Sequence, residues 1–496
     1  MYDREQVKAI TDKVIDMASR ADAVEVQFSG GERSGTRWAN SSITTNLVQF
    51  ERQVSVTVRT GQRQGTAQTR DLSDDGLREM IEEAFAEAEK ANEVPRFPEW
   101  LGPQEYIPVD AALPSVVDLG PAERARLVKT SLDIAESMGV VGAGFIPKTD
   151  IATATANSLG LFAYYRAADV GFSLTCRLPD GSGSGWAGVS GVKDLAMLDA
   201  EALTQDAAGK AVRSKGARAI EPGRYTVILE PRASARFLSL VTGIFTAGRG
   251  GGAPGGGAPG AGGPPAGGAA RGGAARAGAA ADSSGGGDEP PAGGPPGGGG
   301  GGGGGLFGAM GGAGQFMAGK KVGDKIFSDG FTLRSDIGNP ILRQSPIGPG
   351  NRPAAPVTWL ENGVLQTLGP GQRANTNQSL VQEGTDLSVA DMVRQTRRGL
   401  LVNSLWYIRG VPSLEQPLLN TGMTRDGLFL IENGEIVGPV QNFRWNMSPL
   451  VGYNNLTLVG KPVPMGMGES FDAGNAALVP PVRIEEFYMT SISPAV

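Results

Sequence analysis

The chain has 496 residues, and its 45 Lys and Arg against 51 Asp and Glu leave a formal net charge of −6 without long blocks of either sign. This mild acidity argues against a nucleic-acid-binding surface, which would need clustered basic residues. The sequence has no histidine and one cysteine, Cys176, which excludes histidine-based catalysis, histidine metal ligands and an internal disulfide. It also lacks a signal-like apolar N-terminus and any apolar run of membrane-spanning length, so we expect a cytoplasmic protein with no membrane contact.

Hydrophobic periodicity predicts an N-terminal domain over residues 1–220 in which strands form hairpins and helices pack on one face. Ser73 is a plausible N-cap, and Pro121 suits the first turn of a later helix. Cys176 lies on the apolar phase of its strand, which favours a core position over a nucleophile. In chain order the predicted elements are a helix over 4–20, strands over 23–28, 37–43, 53–59 and 66–69, helices over 73–92 and 121–138, strands within 149–177, and a helix over 195–214.

A second domain over residues 221–496 is predicted to be rich in β-strands. It starts with a strand over 223–229 and a helix over 230–246. Residues from about 248 to 319 are mostly Gly, Ala and Pro, a composition that cannot bury enough apolar surface to fold, so we expect a disordered insertion. Beyond it, short strands with turn signals, such as Asn362-Gly363, indicate a sandwich or a barrel-like fold. The predicted fold class is therefore α+β.

Several strings in this order resemble the TldD/PmbA family of peptidase subunits. The longest is TGMTRDGLFLIENGEI at 421–436, and the others are NFRWN at 442–446, LLV at 400–402 with WYIR at 406–409, and RWAN at 37–40. The resemblance covers nearly the whole chain outside 248–319.

The resemblance implies a division into two kinds of subunit. The TldD kind carries an H-E-x-x-x-H zinc motif on a helix and a downstream cysteine ligand, whereas the corresponding helix here reads EPRASAR at 230–236. All three ligands are missing, so the chain is similar to the PmbA (TldE) kind. This implies a non-catalytic subunit, without a metal or cofactor of its own, in a heterodimer with a zinc-containing TldD-like partner that cleaves unfolded or modified peptides.

Without catalytic residues of its own, the chain is expected to contribute peptide contacts. An extended peptide is readily bound by adding a strand to a sheet edge, and polar and aromatic residues of the β-rich half are the candidates. Glu230 is expected in the first turn of its helix, where a carboxylate suits the helix dipole. The candidate peptide-binding residues are Asn403, Trp406, Tyr407, Arg409, Arg425, Arg444 and Asn446.

Two other functions remain open at this stage. The chain could be a peptidase that uses a carboxylate-held metal or another nucleophile. It could also be a homodimeric peptide-binding scaffold that takes no part in proteolysis.

Overall fold

The computed structural model describes residues 1–246, 316–343, 345–368, 379–413, 415–469 and 476–493. The predicted disordered insertion lies outside these ranges except for its last four residues. No helix in the described ranges is both long and apolar enough to cross a bilayer. The α-helices are α1 Arg4–Met17, α2 Asp74–Lys90, α3 Pro114–Val117, α4 Pro121–Ser137, α5 Ala200–Arg213, α6 Pro231–Leu238, α7 Val389–Arg394 and α8 Pro449–Asn454.

The strands form three sheets. Those of the first are β1 Ala23–Ala39, β2 Ser42–Thr60, β3 Arg63–Thr69, β4 Val141–Asn157, β5 Phe162–Arg177 and β6 Ser184–Val192. Those of the second and third are β7 Gly223–Leu229, β8 Leu333–Ser335, β9 Val357–Glu361, β10 Val364–Leu365, β11 Leu380–Gln382, β12 Arg398–Gly410, β13 Asn420–Glu432, β14 Glu435–Pro439, β15 Phe443–Met447, β16 Leu456–Val459, β17 Val463–Gly466, β18 Ala476–Val479 and β19 Val482–Ile492.

The first sheet has the order β3-β2-β1-β4-β5-β6 and contains every described strand before residue 220. Helices α1 and α2 bury their apolar stripes against one end of it, and α4 and α5 cover the other end. Ser73 caps α2 by accepting a hydrogen bond from the Gly76 N–H, as predicted. Cys176 is fully buried in the core beneath α4 and α5, which confirms its predicted core position.

Strands β1 and β2 form one long hairpin, where the sequence had predicted separate short strands. Two consecutive glycines, Gly30 and Gly31, lie in the middle of β1, between the two predicted strands. Their role is close packing, because a Cβ on Gly31 would lie only 2.1 Å from the carbonyl oxygen of Asp150 on β4. Glycine therefore permits strand continuity at this position.

The third sheet closes into a barrel, which confirms the predicted barrel-like fold of the second half. Its strands follow the order β12-β7-β19-β15-β13-β14. β12 also pairs with β13, and this pairing closes β12, β7, β19, β15 and β13 into a ring. β16 pairs with β19 outside this ring. The second sheet, β10-β9-β8-β11-β18-β17, shares a continuous apolar core with the barrel.

Helix α6 follows β7 directly and is buried at every position from Arg232 to Leu238. The predicted helix over 230–246 is wrong in length, because α6 ends at Leu238 and the chain continues through turns into a short 3-10 helix at Ile244–Thr246. The two halves of the chain are joined by buried ion pairs. One of these links Asp169 on β5 to Arg343, with 3.3 Å between the carboxylate and the guanidinium group.

Candidate functional site

A cavity of about 1060 Å³ lies between the first sheet with its helix α5 and the second half of the chain. One face of α5 forms one wall, through Leu203, Asp206, Lys210 and Arg213. Further lining residues come from α7, the β13–β14 turn and β17, and the start of α6 contributes residues 230–232. This volume is at the upper end of the range for small-molecule sites, so it is large enough for a ligand of several residues.

Apolar side chains dominate the lining of the cavity. They come from both halves of the chain, so neither half could form the cavity alone. The main apolar contributors are Trp186, Val189, Leu203, Val393, Leu401, Phe429, Ile436, Val463 and Met465.

A buried ion-pair cluster lines one side of the cavity. The Lys210 ammonium group on α5 lies 2.6 Å from Glu230 Oε2 and 2.8 Å from Asp206 Oδ2. Burial disfavours the charged form of Lys210, but the two carboxylates outweigh this effect and raise its pKa. Burial also raises the pKa of Glu230, against the attraction of Lys210. A lysine held protonated is neither a base nor a nucleophile, so this cluster is a structural link between α5 and the start of α6.

Glu230 does not act as the sequence had predicted. It is the N-cap residue of α6, and its side chain makes no capping hydrogen bond. The carboxylate instead turns toward α5 and pairs with Lys210. Glu230 therefore lies one residue before the predicted first turn, and its carboxylate pairs with a residue of the other half of the chain.

Two arginines of α6 clamp the segment that follows β17. Arg232 donates hydrogen bonds to the carbonyl oxygens of Gly466, at 2.9 Å, and Glu469, at 3.0 Å. Arg236 donates to the carbonyl oxygen of Met467 at 2.9 Å and to Glu469 Oε1 at 3.1 Å. Burial lowers the pKa of Arg232 to about 10, which still leaves it charged at neutral pH. The clamp therefore places two cations at the surface of α6.

Of the predicted peptide-binding residues, Asn403 lines the cavity. It is 1% exposed, and its Nδ2 donates to the carbonyl oxygens of Trp186, at 3.0 Å, and Asp426, at 2.8 Å. These two acceptors fix the orientation of the amide. Its Oδ1 then has no hydrogen-bond partner among the described residues.

The other predicted residues lie elsewhere on the barrel, on the adjacent strands β12, β13 and β15. Arg425 stacks on Trp406 at 5.2 Å, and Arg409 stacks on its neighbour Tyr407 at 4.4 Å. Arg409 Nη1 also lies 3.4 Å from Glu469 Oε1, beside the arginine clamp. The remaining two, Arg444 and Asn446, are on β15. These six are not among the residues that line the cavity.

The sequence pattern missed Trp186 and Lys210. Both lie in the first half, outside the β-rich region where peptide contacts had been predicted. Trp186 is on the terminal strand β6, and Lys210 is at a buried position of α5. A lysine at a buried position of an Ala-rich helix was the available signal.

Comparison of the sequence with protein families gives three matches in chain order. They are PmbA/TldA metallopeptidase domain 1 at residues 24–88, the central domain at 122–215 and the C-terminal domain at 312–491, together more than half of the chain. The chain belongs to the PmbA/TldD family. Comparison with curated proteins gives no match. The family boundaries divide the predicted first domain of 1–220 into two units, both of which contribute strands to the first sheet.

Solved structures share the fold at low sequence identity. TldE from Thermococcus kodakarensis superimposes with a TM-score of 0.73 at 16% identity, covering 97% of this chain and 100% of that one. A putative modulator of a DNA gyrase from Thermotoga maritima gives 0.70 at 15% identity, with 97% and 99% covered. A putative modulator of DNA gyrase from Bacteroides thetaiotaomicron gives 0.70 at 14% identity, with 99% and 100% covered.

The family description implies a metal ion, and the residues of α6 do not fit one. Guanidinium groups donate hydrogen bonds and offer no lone pair to a cation, and Arg232 and Arg236 cover the helix surface that faces residues 466–469. The nearby carboxylates of Glu230 and Glu469 are paired with Lys210 and Arg236. Within the described ranges, no group of three or more His, Cys, Asp or Glu residues lies close enough to hold a metal.

Proposed function

We propose that this chain is the non-catalytic subunit of a PmbA/TldD-type metallopeptidase complex in the cytoplasm, where it binds unfolded or modified peptides. The observation that carries the proposal is the arginine clamp. In this chain the helix that would hold the zinc motif in a TldD-like subunit has two buried cations, Arg232 and Arg236. Two charged groups in a low-dielectric environment repel a divalent cation, and their hydrogen bonds stabilise this arrangement without a metal.

The proposed partner is a TldD-like catalytic subunit that supplies the zinc ion. In a heterodimer of this kind the partner performs the hydrolysis, and this chain contributes a cavity with mainly apolar walls that binds the peptide. Uncharged apolar side chains are exposed in unfolded chains and buried in folded ones, so such a cavity favours unfolded substrates.

The test is to tag this chain, express it in its native cell and identify by mass spectrometry what copurifies under mild conditions. A stoichiometric partner with an H-E-x-x-x-H motif is expected, with zinc and peptidase activity present in the complex and absent from the isolated chain. Peptide turnover by the isolated chain that a chelator abolishes would instead support a peptidase with a site of another kind. A metal-free homodimer without activity would support a peptide-binding scaffold, for which the cavity is equally suited.

A further inference from the structure

Three terminal strands meet around the cavity. β6 ends the first sheet, β17 ends the second and β14 ends the third. All three contribute lining residues, among them Trp186 and Val189 of β6, Met465 of β17 and Ile436 of β14. A terminal strand has one edge whose backbone groups are not used within its own sheet, and such an edge can pair with an added strand.

The side chains of β14 are the most exposed of the three strands, and its outer backbone edge is bonded to Arg218 at Pro439, which leaves residues 435–438 for an added strand. The side chains of Ile436 and Val437 are 41% and 47% exposed, although both are large and apolar. Ile436 also lines the cavity, whereas the lining residues Pro464 and Met465 of β17 are buried. A strand that paired with β14 would therefore lie beside the cavity, with every second side chain directed toward one face.

The buried charged groups of the cavity lining are bonded to other groups of the chain. Lys210 lies between Glu230 and Asp206, and Arg232 is held by the carbonyl oxygens of Gly466 and Glu469. A charged ligand group beside them would have to break one of these buried interactions, which is unfavourable. The other charged lining residues are exposed to solvent, and they are Asp199, Arg213, Arg394, Glu435 and Lys461. The rest of the lining is mainly apolar, so the buried part of the cavity is complementary to uncharged apolar side chains.

We infer that the cavity binds an extended peptide that pairs with the edge of β14 and inserts bulky apolar side chains, such as Leu or Phe, between α5 and α7. The inference rests on the proposed function only in taking a peptide as the ligand. It assigns the selectivity for apolar residues to this chain, independently of any partner. It also differs from the site predicted from sequence, because six of the seven predicted residues are not among the residues that line the cavity.

The test uses the purified full-length chain and a fluorescent peptide, capped at both ends, in which Leu or Phe alternates with Ser. Binding is measured by fluorescence anisotropy. A matched peptide with Ser at every position is expected to bind at least about tenfold more weakly, because it has no side chain that fills the cavity. A third peptide with the original side chains and N-methyl groups on alternate residues is expected to lose binding, because it cannot pair with a strand edge.

Two variants place a bulky side chain in the cavity, one from α5 and one from α7. Ala202→Trp on α5 and Ala390→Trp on α7 replace exposed lining residues, so neither disturbs a packed core. Each is expected to weaken peptide binding by about tenfold or more. The matched control is Gln205→Trp, at an exposed position of α5 outside the cavity lining, which should leave the affinity unchanged. Circular dichroism confirms that each variant is folded, and either variant alone suffices for the test.

The inference is overturned if the all-Ser peptide binds equally well, if both cavity-filling variants bind like the control, or if the chain binds a fatty acid at this cavity and no peptide. These outcomes are separate from the copurification experiment. Loss of the proposed partner with retained peptide binding would contradict the subunit role alone, and a partner without cavity binding would contradict the present inference alone.

Discussion

Among single residues, the buried pair of Lys210 and Glu230 has the largest expected effect on stability. Lys210→Met removes the only cation within 4 Å of the Glu230 carboxylate in the described residues and leaves that carboxylate buried. An unpaired buried charge costs about 3–5 kcal/mol, so the free energy of unfolding should fall by that amount. Urea denaturation followed by circular dichroism measures it.

The matched control is Lys129→Met, which breaks the exposed pair with Asp133 and should change little. The double variant Lys210→Met/Glu230→Leu should recover most of the loss, because apolar side chains of similar volume replace a buried pair at little cost. If Lys210→Met were as stable as Lys129→Met, the carboxylate would not be buried as described.

Cys176 gives a prediction with a defined pH dependence. Burial raises the pKa of its thiol from 9.0 to about 12. As the pH rises above 9.0, the unfolded chain loses this proton while the folded chain keeps it, so folding becomes less favourable. Relative to Cys176→Ala, the wild-type free energy of unfolding should fall by about 1.4 kcal/mol per pH unit in this range. Urea titrations at several pH values measure the difference, and parallel slopes for the two proteins would contradict the burial.

Cys176 and Glu230 differ in how much of their surroundings can be predicted from the sequence. The position of Cys176 follows from the alternation of its own strand, which is local information. The partner of Glu230 comes from a helix of the other half, and no periodicity within residues 230–236 encodes that contact. The same limit applies to the cavity. Asn403 was a predicted contact and lines it, whereas Trp186 and Lys210 come from the other half of the chain.

Between elements, glycine sets the distance from a strand to its helix. A Cβ on Gly65 in β3 would lie 2.0 Å from the carbonyl oxygen of Ala84 in α2, and neither backbone can move without its neighbours. Gly65→Ala should therefore cost about 1–3 kcal/mol in the free energy of unfolding. Gly223→Ala, at the start of β7, places its Cβ in open space and is the control. Equal effects of the two substitutions on thermal unfolding would refute the close approach.

The arginine clamp makes a prediction about local opening. Arg236→Met removes the donors to the carbonyl oxygen of Met467 and to the carboxylate of Glu469. Amide hydrogen exchange in residues 463–469 should become faster, whereas exchange in α2, far from the clamp, should not change. The conservative variant Arg236→Lys should restore only part of the protection, because it lacks the forked geometry of arginine. Unchanged exchange at 463–469 in Arg236→Met would exclude the clamp.

The sequence predicted helices such as α2 and α4 well, because their caps and apolar stripes are local signals. It failed for the β1–β2 hairpin, where it predicted short separate strands on either side of Gly30 and Gly31. A glycine that permits close strand packing and a glycine that forms a turn look alike in sequence. The distinction depends on β4, whose strand lies more than a hundred residues downstream.

For the whole molecule, closure of the barrel depends on its last strand. β19 pairs with β7 on one side and with β15 on the other. A chain that ends at Pro481 should therefore fail to form the barrel while the first sheet keeps its own core. Limited proteolysis should then degrade the second half and spare residues 1–220. Tyr488→Ala, which alters an exposed side chain of β19 and keeps the strand, should behave like wild type. A truncated chain with the wild-type proteolysis pattern would contradict the closure.

Short strands with turn signals predicted a sandwich or a barrel and could not decide between them. The decision depends on whether β12 pairs with β13 in addition to β7, which is a contact between strands rather than a property of either strand.

The position of β19 also sets an order of events during synthesis. β7 and α6 leave the ribosome more than 240 residues before β19, the strand that lies beside β7. The first sheet can fold as soon as residue 220 has emerged, whereas the strand edge of β7 must wait for nearly all of the remaining chain. Throughout that interval the apolar residues of β7 and α6 are exposed to other proteins in the cell. The newly made chain is therefore expected to depend on chaperones until β19 has emerged, and slower translation of residues 239–481 should increase its aggregation.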